Sequence, residues 1–324
     1  MIDATTIENV AQRIVTGALV GSIYGLLCTG LGMIFGVIRV INFAQGEFMM
    51  LGMYTTLFVG AAIAAALAIG PAGGAYAAVG VAALVMAAVG WALQRYVIHH
   101  VSGSRVLSSE SGGHFAQLIL TLGLSLVISN LVLIAFGSSP RTVQSTLASS
   151  SWTLGPFGGD GSDAITIFVN QARAIGCVVA LAVSAALWAF VQKTRTGTTM
   201  RAAADNPGAA TLVGLDTEKA YARAFAFAIG IGATALAGGL IAMYYPLHPF
   251  IGFDFVIIMY AGVVLGGMGS MLGAFWGGFA IGLVRQLSTL FLPLQLQNAT
   301  IFMLFLGVVL LRPQGFFGRS AERV

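Results

Sequence analysis

The sequence predicts an all-α polytopic membrane protein, a bundle of eight or nine transmembrane helices. Charged residues make up 8% of the 324-residue chain, against about 25% in soluble domains. Hydrophobic residues make up 58%, and the mean hydropathy is +0.92. The apolar residues form continuous runs, whereas a membrane β-barrel shows alternating segments of about 10 residues. A helical bundle is therefore the expected fold.

Nine apolar runs are candidates for spanning helices, because a run of about 20 residues crosses the hydrocarbon core as a helix. They lie at about 14–37, 47–69, 73–98, 115–136, 172–192, 220–244, 253–267, 270–292 and 297–311. The run at 253–267 is short, so eight crossings are the alternative. No soluble domain is expected, and we treat 1–324 as a single transmembrane domain.

Basic residues in loops predict the orientation, because cytoplasmic loops carry an excess of Lys and Arg. Three basic groups should therefore face the cytoplasm: Arg95, His99, His100 and Arg105; Lys193, Arg195, Arg201 and Lys219; Arg312, Arg319 and Arg323. The loop 137–171, rich in Ser, Gly and Pro, holds only Arg141 among basic residues and should be an irregular external loop. Nine spans satisfy this pattern with the N-terminus outside and the C-terminus in the cytoplasm.

Glycine is abundant, at 43 residues, and many of these lie at the spacing that lets helix backbones approach closely in a membrane. Two ridges have this spacing: Gly17, Gly21 and Gly25; Gly269, Gly273 and Gly277. The stretch 262–278 is too rich in Gly for one uninterrupted helix, so we expect a turn or break near 266–270.

A short echo within the sequence suggests an inverted repeat. Glu47-Phe48 opens the second run and Asp254-Phe255 opens the seventh, on opposite sides of the membrane in the predicted topology. Inverted repeats with interrupted helices are common in transporters. The hypothesis divides the chain into halves 13–136 and 220–312, linked by the span 172–192, but the match covers only two residues.

The stretch "RVINFAQGEF" (39–48) places polar residues between two apolar runs. Asn42 is at the right position for an N-cap, and Gln45 has the capping-box spacing from it. Glu47 would then lie in the first turns of a helix, where the positive end of the dipole favours a carboxylate. An ionisable residue inside a membrane suggests function; the alternative is a structural Glu47 that caps the helix or pairs with Arg39.

Enzyme chemistry finds no support, because the four His and two Cys show no metal spacing and no Ser–His or HExxH pattern. Two transporter classes remain. One is an ion-coupled secondary transporter with Glu47 as a proton site. The other is the membrane subunit of an ATP-driven importer, whose ATPase must be another chain because neither Lys193 nor Lys219 has P-loop spacing. A short helix at about 208–213, after Pro207, would offer such a partner a surface; a solvated loop is the alternative.

Three stretches resemble the LivH-type permeases of branched-chain amino acid ABC importers, and the resemblance covers nearly the whole chain. They are "GALVGSIYGLLCTGLGMIFGVIRVINFAQGEFMMLGMY" (17–54), "TGTTMRAAADNPGAATLVGLDTEKAYARAFAFAIGIGATALAGGL" (196–240) and "GGMGSMLGAFWGGFAIGLV" (266–284). The sequence departs from that family at Gln45, where His is common, and at Arg285, where an acidic or small residue is expected.

The resemblance implies a permease subunit of the bacterial inner membrane that translocates branched-chain or related small amino acids delivered by a periplasmic binding protein. A second, LivM-type permease would pair with it. Two ATPase subunits would dock on its cytoplasmic loop 193–219 and hold the ATP and Mg, so this chain would bind no cofactor, metal or nucleic acid. A urea or short-amide permease of the same superfamily is the alternative.

Two groups of functional residues follow. In the resemblance, residues 200–215 correspond to the helix that couples the permease to the ATPase, with contacts from Arg201, Asp205, Asn206 and Gly214. The candidates for the translocation pathway are the polar residues at the two helix starts: Asn42, Gln45, Glu47 and Asp254.

Overall fold

The computed structural model describes residues 4–38, 42–98, 110–157, 165–205, 209, 212, 216–293, 296–312 and 314–318. Its helices are α1 (Ala4–Ile38), α2 (Gln45–Leu67), α3 (Pro71–Leu93, continued by a π-helical turn over Gln94–Ile98), α4 (Glu110–Phe136), α5 (Thr146–Ser149), α6 (Gln171–Lys193), α7 (Arg195–Asp205), α8 (Asp216–Ala242), α9 (Ile251–Gly266), α10 (Met271–Ser288) and α11 (Gln297–Leu311). Two strands, β1 (Ser151–Phe157) and β2 (Ile165–Asn170), form one hairpin.

Nine of these helices coincide with the nine predicted apolar runs. Within the described residues, six are long and apolar enough to cross a membrane: Thr6–Ile38, Gln45–Leu67, Pro71–Ile98, Ala116–Phe136, Gln171–Lys193 and Arg223–Ala242. The apolar helices α9 and α11 are shorter than these six. The ninth helix that matches a predicted run is α10, with 18 residues. The predicted all-α, multi-pass membrane bundle is confirmed.

Helices α1 and α8 form the centre of the bundle. The apolar windows of both are 83% buried, whereas those of α4 and α6 are 22% and 17% buried. Large apolar side chains such as Ile134 and Val178 are exposed on the outer helices. In a bilayer these side chains would face lipid, whereas the two central helices are largely shielded by protein.

The predicted glycine ridge on α1 is a packing surface. In the second ridge Gly273 and Gly277 pack against the backbone of α9, whereas a Cβ on Gly269, in the turn before α10, would meet nothing within 4 Å. A Cβ added at Gly21 would lie 2.7 Å from the Phe279 carbonyl oxygen, and one added at Gly25 would lie 2.7 Å from the Phe275 ring. The backbones of α1 and α10 therefore approach too closely for any larger residue on this face. This is the close packing that membrane helices use where lipid offers no hydrophobic drive.

The break predicted near 266–270 is present, because α9 ends at Gly266 and α10 begins at Met271. Gly267 and Gly269 have positive φ, +100° and +95°, which glycine adopts without strain. The Ser270 hydroxyl caps α10 by accepting from the Gly273 backbone N–H at 3.1 Å. Phe316 and Phe317 donate backbone hydrogen bonds to Leu265 and Gly266, so the C-terminal segment is attached to this turn.

The loop 137–171 is more ordered than predicted. It contains α5 and the antiparallel hairpin β1–β2, in which Trp152 pairs with Val169 and Leu154 pairs with Ile167. β-Branched and aromatic residues favour strands, and they occur here among the Gly and Ser on which the prediction of an irregular loop rested. Gln12 of α1 makes two hydrogen bonds to the Phe168 backbone, which attaches the hairpin to the bundle.

Candidate functional site

The starts of α2 and α9 meet inside the bundle. The backbone of Gly46 lies directly against the carbonyl of Gly252, so that a Cβ on either residue would overlap its neighbour. Phe255, one turn into α9, contacts the Tyr24 ring edge-on at 5.7 Å. Because Tyr24 is near the middle of the apolar run of α1, the two helix starts meet at mid-depth. Both present backbone N–H groups and the positive end of a helix dipole there.

Glu47 brings its carboxylate to this meeting point. The residue is 1% exposed, and a Cβ added at Gly252 would lie 2.7 Å from both carboxyl oxygens. Oε1 accepts a hydrogen bond from the Ser125 hydroxyl at 3.2 Å. Oε2 has no hydrogen-bond partner among the described residues. The Ser129 hydroxyl, which donates to the Ser125 carbonyl, also lies within hydrogen-bonding reach of the carboxyl group. The proposed partner Arg39 lies outside the described residues.

A row of polar side chains on α4 continues the site. Its members recur every four residues in an otherwise apolar helix and are all buried: Gln117, Thr121, Ser125 and Ser129. The Thr121 hydroxyl accepts from the Phe43 backbone N–H at 3.3 Å, next to the start of α2. Sequence reasoning missed this row, although the four-residue spacing within the run 115–136 was a signal that could have found it.

The roles predicted for Asn42 and Gln45 need correction. The N-cap of α2 is Ala44, which makes no side-chain capping bond. The Asn42 side chain instead accepts from the Ala44 backbone N–H at 3.2 Å and donates to Gln45 Oε1 at 3.0 Å. Gln45 donates across the bundle to the Thr234 hydroxyl of α8 at 2.6 Å. An Asx-type turn before the helix and a tertiary hydrogen bond have replaced the capping box.

Asp254 does not join the buried site. Its side chain is 61% exposed and lies 4.0 Å from His248. It is on a different face of α9 from Phe255, which is 1% exposed. The structure therefore brings Asn42, Gln45 and Glu47 together at the helix starts and places Asp254 nearby on an open face.

The residues predicted to couple to an ATPase are only partly described. Arg201 lies in α7 and donates to the side chain and backbone of Gln192, at 2.8 and 3.3 Å. Asp205 ends α7, but its side chain, together with Asn206 and Gly214, lies outside what the structure describes. Most of the helix predicted at 208–213 also falls there, and the helix that is described begins earlier, at Arg195.

The described residues of this site do not include a group of metal-ligating side chains. Within the described ranges, no three His, Cys, Asp or Glu side chains lie close enough to hold a metal ion. What the site offers is a buried carboxylate, amides and hydroxyls. The carboxylate can accept hydrogen bonds from a small polar ligand or from water, and the amides and hydroxyls can both accept and donate them.

Comparison with known proteins gives consistent results over the whole chain. The family model described as "Branched-chain amino acid transport system / permease component" matches residues 13–311. The chain is 32% identical over 315 residues to the high-affinity branched-chain amino acid transport system permease protein LivH of Escherichia coli K12, covering 97% of each chain. It is 29% identical over 320 residues to the permease protein BraD of Pseudomonas aeruginosa, covering 98% of this chain and 99% of BraD. No solved structure matches the chain.

Proposed function

We propose that this chain, which belongs to the family of permease components of branched-chain amino acid transport systems, carries branched-chain amino acids through the bacterial inner membrane. The observation that supports this substrate is the end-to-end similarity to LivH, which covers 97% of both chains. A permease component is not itself an enzyme. The free energy for transport must therefore come from a partner or an ion gradient.

The energy source in this proposal is ATP hydrolysed by two separate ATPase subunits, which hold ATP and Mg. A second, LivM-type permease pairs with this chain, and a periplasmic binding protein delivers the amino acid. The N-terminus faces the periplasm and the C-terminus the cytoplasm. The basic groups that the sequence places in the loops after 95, in 193–219 and after 311 support this orientation.

The proposed pathway runs past Asn42, Gln45, Glu47 and Asp254. Two features support it: the Glu47 carboxylate is buried where two helix starts meet, and Asp254 is exposed on an apolar helix. An exposed carboxylate facing lipid would cost several kcal/mol, so the open face of α9 is better suited to a water-filled path or to the second permease. The ATPases would contact α7 and the residues after it, through Arg201, Asp205, Asn206 and Gly214.

Reconstituted uptake tests the proposal. The chain, the second permease, the ATPases and the binding protein are placed in proteoliposomes, and uptake of labelled L-leucine is measured with and without ATP. We expect uptake only with ATP and the binding protein. Uptake by this chain alone, driven by a proton or sodium gradient, would contradict the proposal and identify a secondary transporter; ATP-driven uptake of urea or acetamide but not leucine would reassign the substrate.

A further inference from the structure

We propose that Arg285 and Arg173, with Tyr24, Tyr244 and Tyr245, form a site for the carboxylate of the transported amino acid, an inference that rests on the proposed function. Arg285 lies in the last turn of α10 and Arg173 in the first turn of α6. Tyr244 and Tyr245 lie in the turn that follows α8. The site is therefore at the end of the bundle that faces outward in the proposed topology, where a substrate would arrive.

The Arg285 guanidinium is directed into the bundle. Its Nη1 donates to the Tyr24 hydroxyl at 2.7 Å, and its Cζ lies 5.9 Å from the centre of the Tyr24 ring. Tyr24 is 4% exposed, whereas Arg285 is half-buried. A snorkelling arginine would extend away from the core to the lipid headgroups. This one instead presents its charge to the interior while its side chain remains half-buried.

Arg173 and Tyr244 supply further hydrogen-bond donors. The Arg173 guanidinium carbon lies 5.2 Å from the centre of the Tyr244 ring. Neither Arg173 Nε nor the Tyr244 hydroxyl has a hydrogen-bond partner among the described residues, although both atoms are buried. The ordinary pKa of a tyrosine hydroxyl lies well above neutral pH. The hydroxyl therefore stays protonated and can donate.

The two positive charges lack acidic partners. Within the described parts of the chain, neither guanidinium lies within 4.0 Å of a carboxylate, and the acid–base pair found there is His248 with Asp254. A half-buried charge without a counter-charge is costly. A bound anion would offset that cost, and a guanidinium fork matches the two oxygens of a carboxylate.

The surroundings favour an amino acid over a lipid headgroup. Phe255, which is 1% exposed, contacts both Tyr24 and Tyr245 edge-on, at 5.7 and 5.8 Å. The side chains packed around the arginines are thus aromatic and apolar, the surroundings that an aliphatic side chain prefers. It also connects inward, because Gly252, one turn before Phe255, contacts Glu47. A lipid phosphate would need the guanidinium to face the bilayer.

Binding without the binding protein tests the site. The complete membrane complex is placed in nanodiscs of phosphatidylcholine, and equilibrium binding of L-leucine and of L-leucinamide, which lacks the carboxylate, is measured by scintillation proximity. We expect wild-type protein to prefer leucine by about tenfold, as the loss of one charge-assisted interaction would give. Arg285→Gln should abolish that preference. Arg285→Lys should retain part of it, because lysine keeps the positive charge but lacks the planar guanidinium that binds both carboxylate oxygens.

The matched control is Arg141→Gln, which removes an outer arginine that stacks on Phe58 and bonds the Phe136 carbonyl. It should keep the full preference. A wild-type preference in Arg285→Gln would overturn the site, as would the absence of any preference in wild type. If Arg285→Gln does not fold, Tyr244→Phe serves instead, with a leucine affinity reduced about threefold expected from the loss of one donor and an unchanged affinity counting against the site.

Two further comparisons separate the explanations. Leucine binding by wild type that disappears in phosphatidylglycerol nanodiscs would overturn the inference and identify a site for an anionic lipid headgroup; we expect equal binding in both lipids. ATP-driven leucine uptake by wild type is measured in parallel. Failed uptake would contradict the proposed function, whereas normal uptake together with unchanged selectivity in Arg285→Gln would contradict only the carboxylate site.

Discussion

At the scale of single residues, Glu47 is defined by what surrounds each of its oxygens. Oε1 accepts from Ser125, and Oε2 has no partner within the described residues. Gly252 leaves room for the carboxyl group, because any side chain there would overlap it. A purely structural carboxylate would be expected to have both oxygens satisfied. Glu47 makes one hydrogen bond, to Ser125, and has Ser129 beside it. An ionisable carboxyl group with so few donors, buried where two helix starts meet, favours a role in the pathway.

Glu47→Gln tests that role. The amide keeps the shape and can still accept from Ser125, but it carries no charge. We expect ATP-driven leucine uptake to fall about tenfold or more, because a hydrogen bond to a charged group is worth about 1.5–3 kcal/mol. The melting temperature in detergent should remain close to that of wild type.

The control is Glu8→Gln, which neutralises a carboxylate that accepts from the Thr166 hydroxyl far from the site. It should leave uptake unchanged. Normal uptake in Glu47→Gln would show that the charge has no part in transport.

Gly46 is a second residue on which the site depends, because its backbone touches that of Gly252. Gly46→Ala should separate the starts of α2 and α9 and lower stability by about 1–3 kcal/mol, the usual cost of overpacking. Thermal unfolding of the purified protein measures this. Gly80→Ala is the matched control, since a Cβ at Gly80 meets nothing within 4 Å; equal melting temperatures for the two variants would disprove the close contact.

At the scale of elements, α7 is the part of the described chain best placed to transmit a partner's movement. Met200 is fully buried against Met33 of α1 and Ala226 of α8. Arg201 reaches back to Gln192 at the end of α6. A short helix attached to both central helices would move with them, so a force applied to α7 would reach the bundle.

Arg201→Glu tests this coupling. The reversed charge loses both hydrogen bonds to Gln192 and would repel a partner surface that accepts an arginine. We expect ATP-driven uptake to be lost and the ATPase activity of the complex no longer to respond to the loaded binding protein.

Gln192→Ala separates the two effects, because it removes the bond to the Gln192 side chain but keeps the arginine and its bond to the backbone carbonyl. It should reduce coupling only slightly. If substrate-stimulated ATPase activity survives in Arg201→Glu, α7 does not couple through this residue.

At the scale of the whole molecule, the distribution of loop charges predicts which end of the bundle faces the cytoplasm. Single cysteines test this after Cys28 and Cys177 are replaced by Ala. An impermeant maleimide added to intact spheroplasts should label Gln144→Cys, in the loop before α5, and spare Thr198→Cys in α7. Both side chains are exposed, so accessibility to water is matched. The opposite pattern would invert the topology.

The sequence determined by itself the membrane class, the number and places of the apolar helices and the break at 266–270. These depend on local composition and on glycine content, which act over a few residues regardless of what lies across the bundle. It also singled out Asn42, Gln45 and Glu47, because polar residues between apolar runs stand out in a plot of hydropathy along the chain.

Only the tertiary structure decided what those residues contact. The predicted capping box does not form, because Gln45 donates its hydrogen bond to Thr234 in α8, 189 residues away in sequence. Partners distant in the chain likewise determine three other features: the burial of the polar row on α4, the contact of Gly46 with Gly252 and the inward direction of Arg285. Asp254 echoes Glu47 in sequence, yet it lies on an open face. Burial and long-range contact are properties of the packed bundle, and no local pattern contains them.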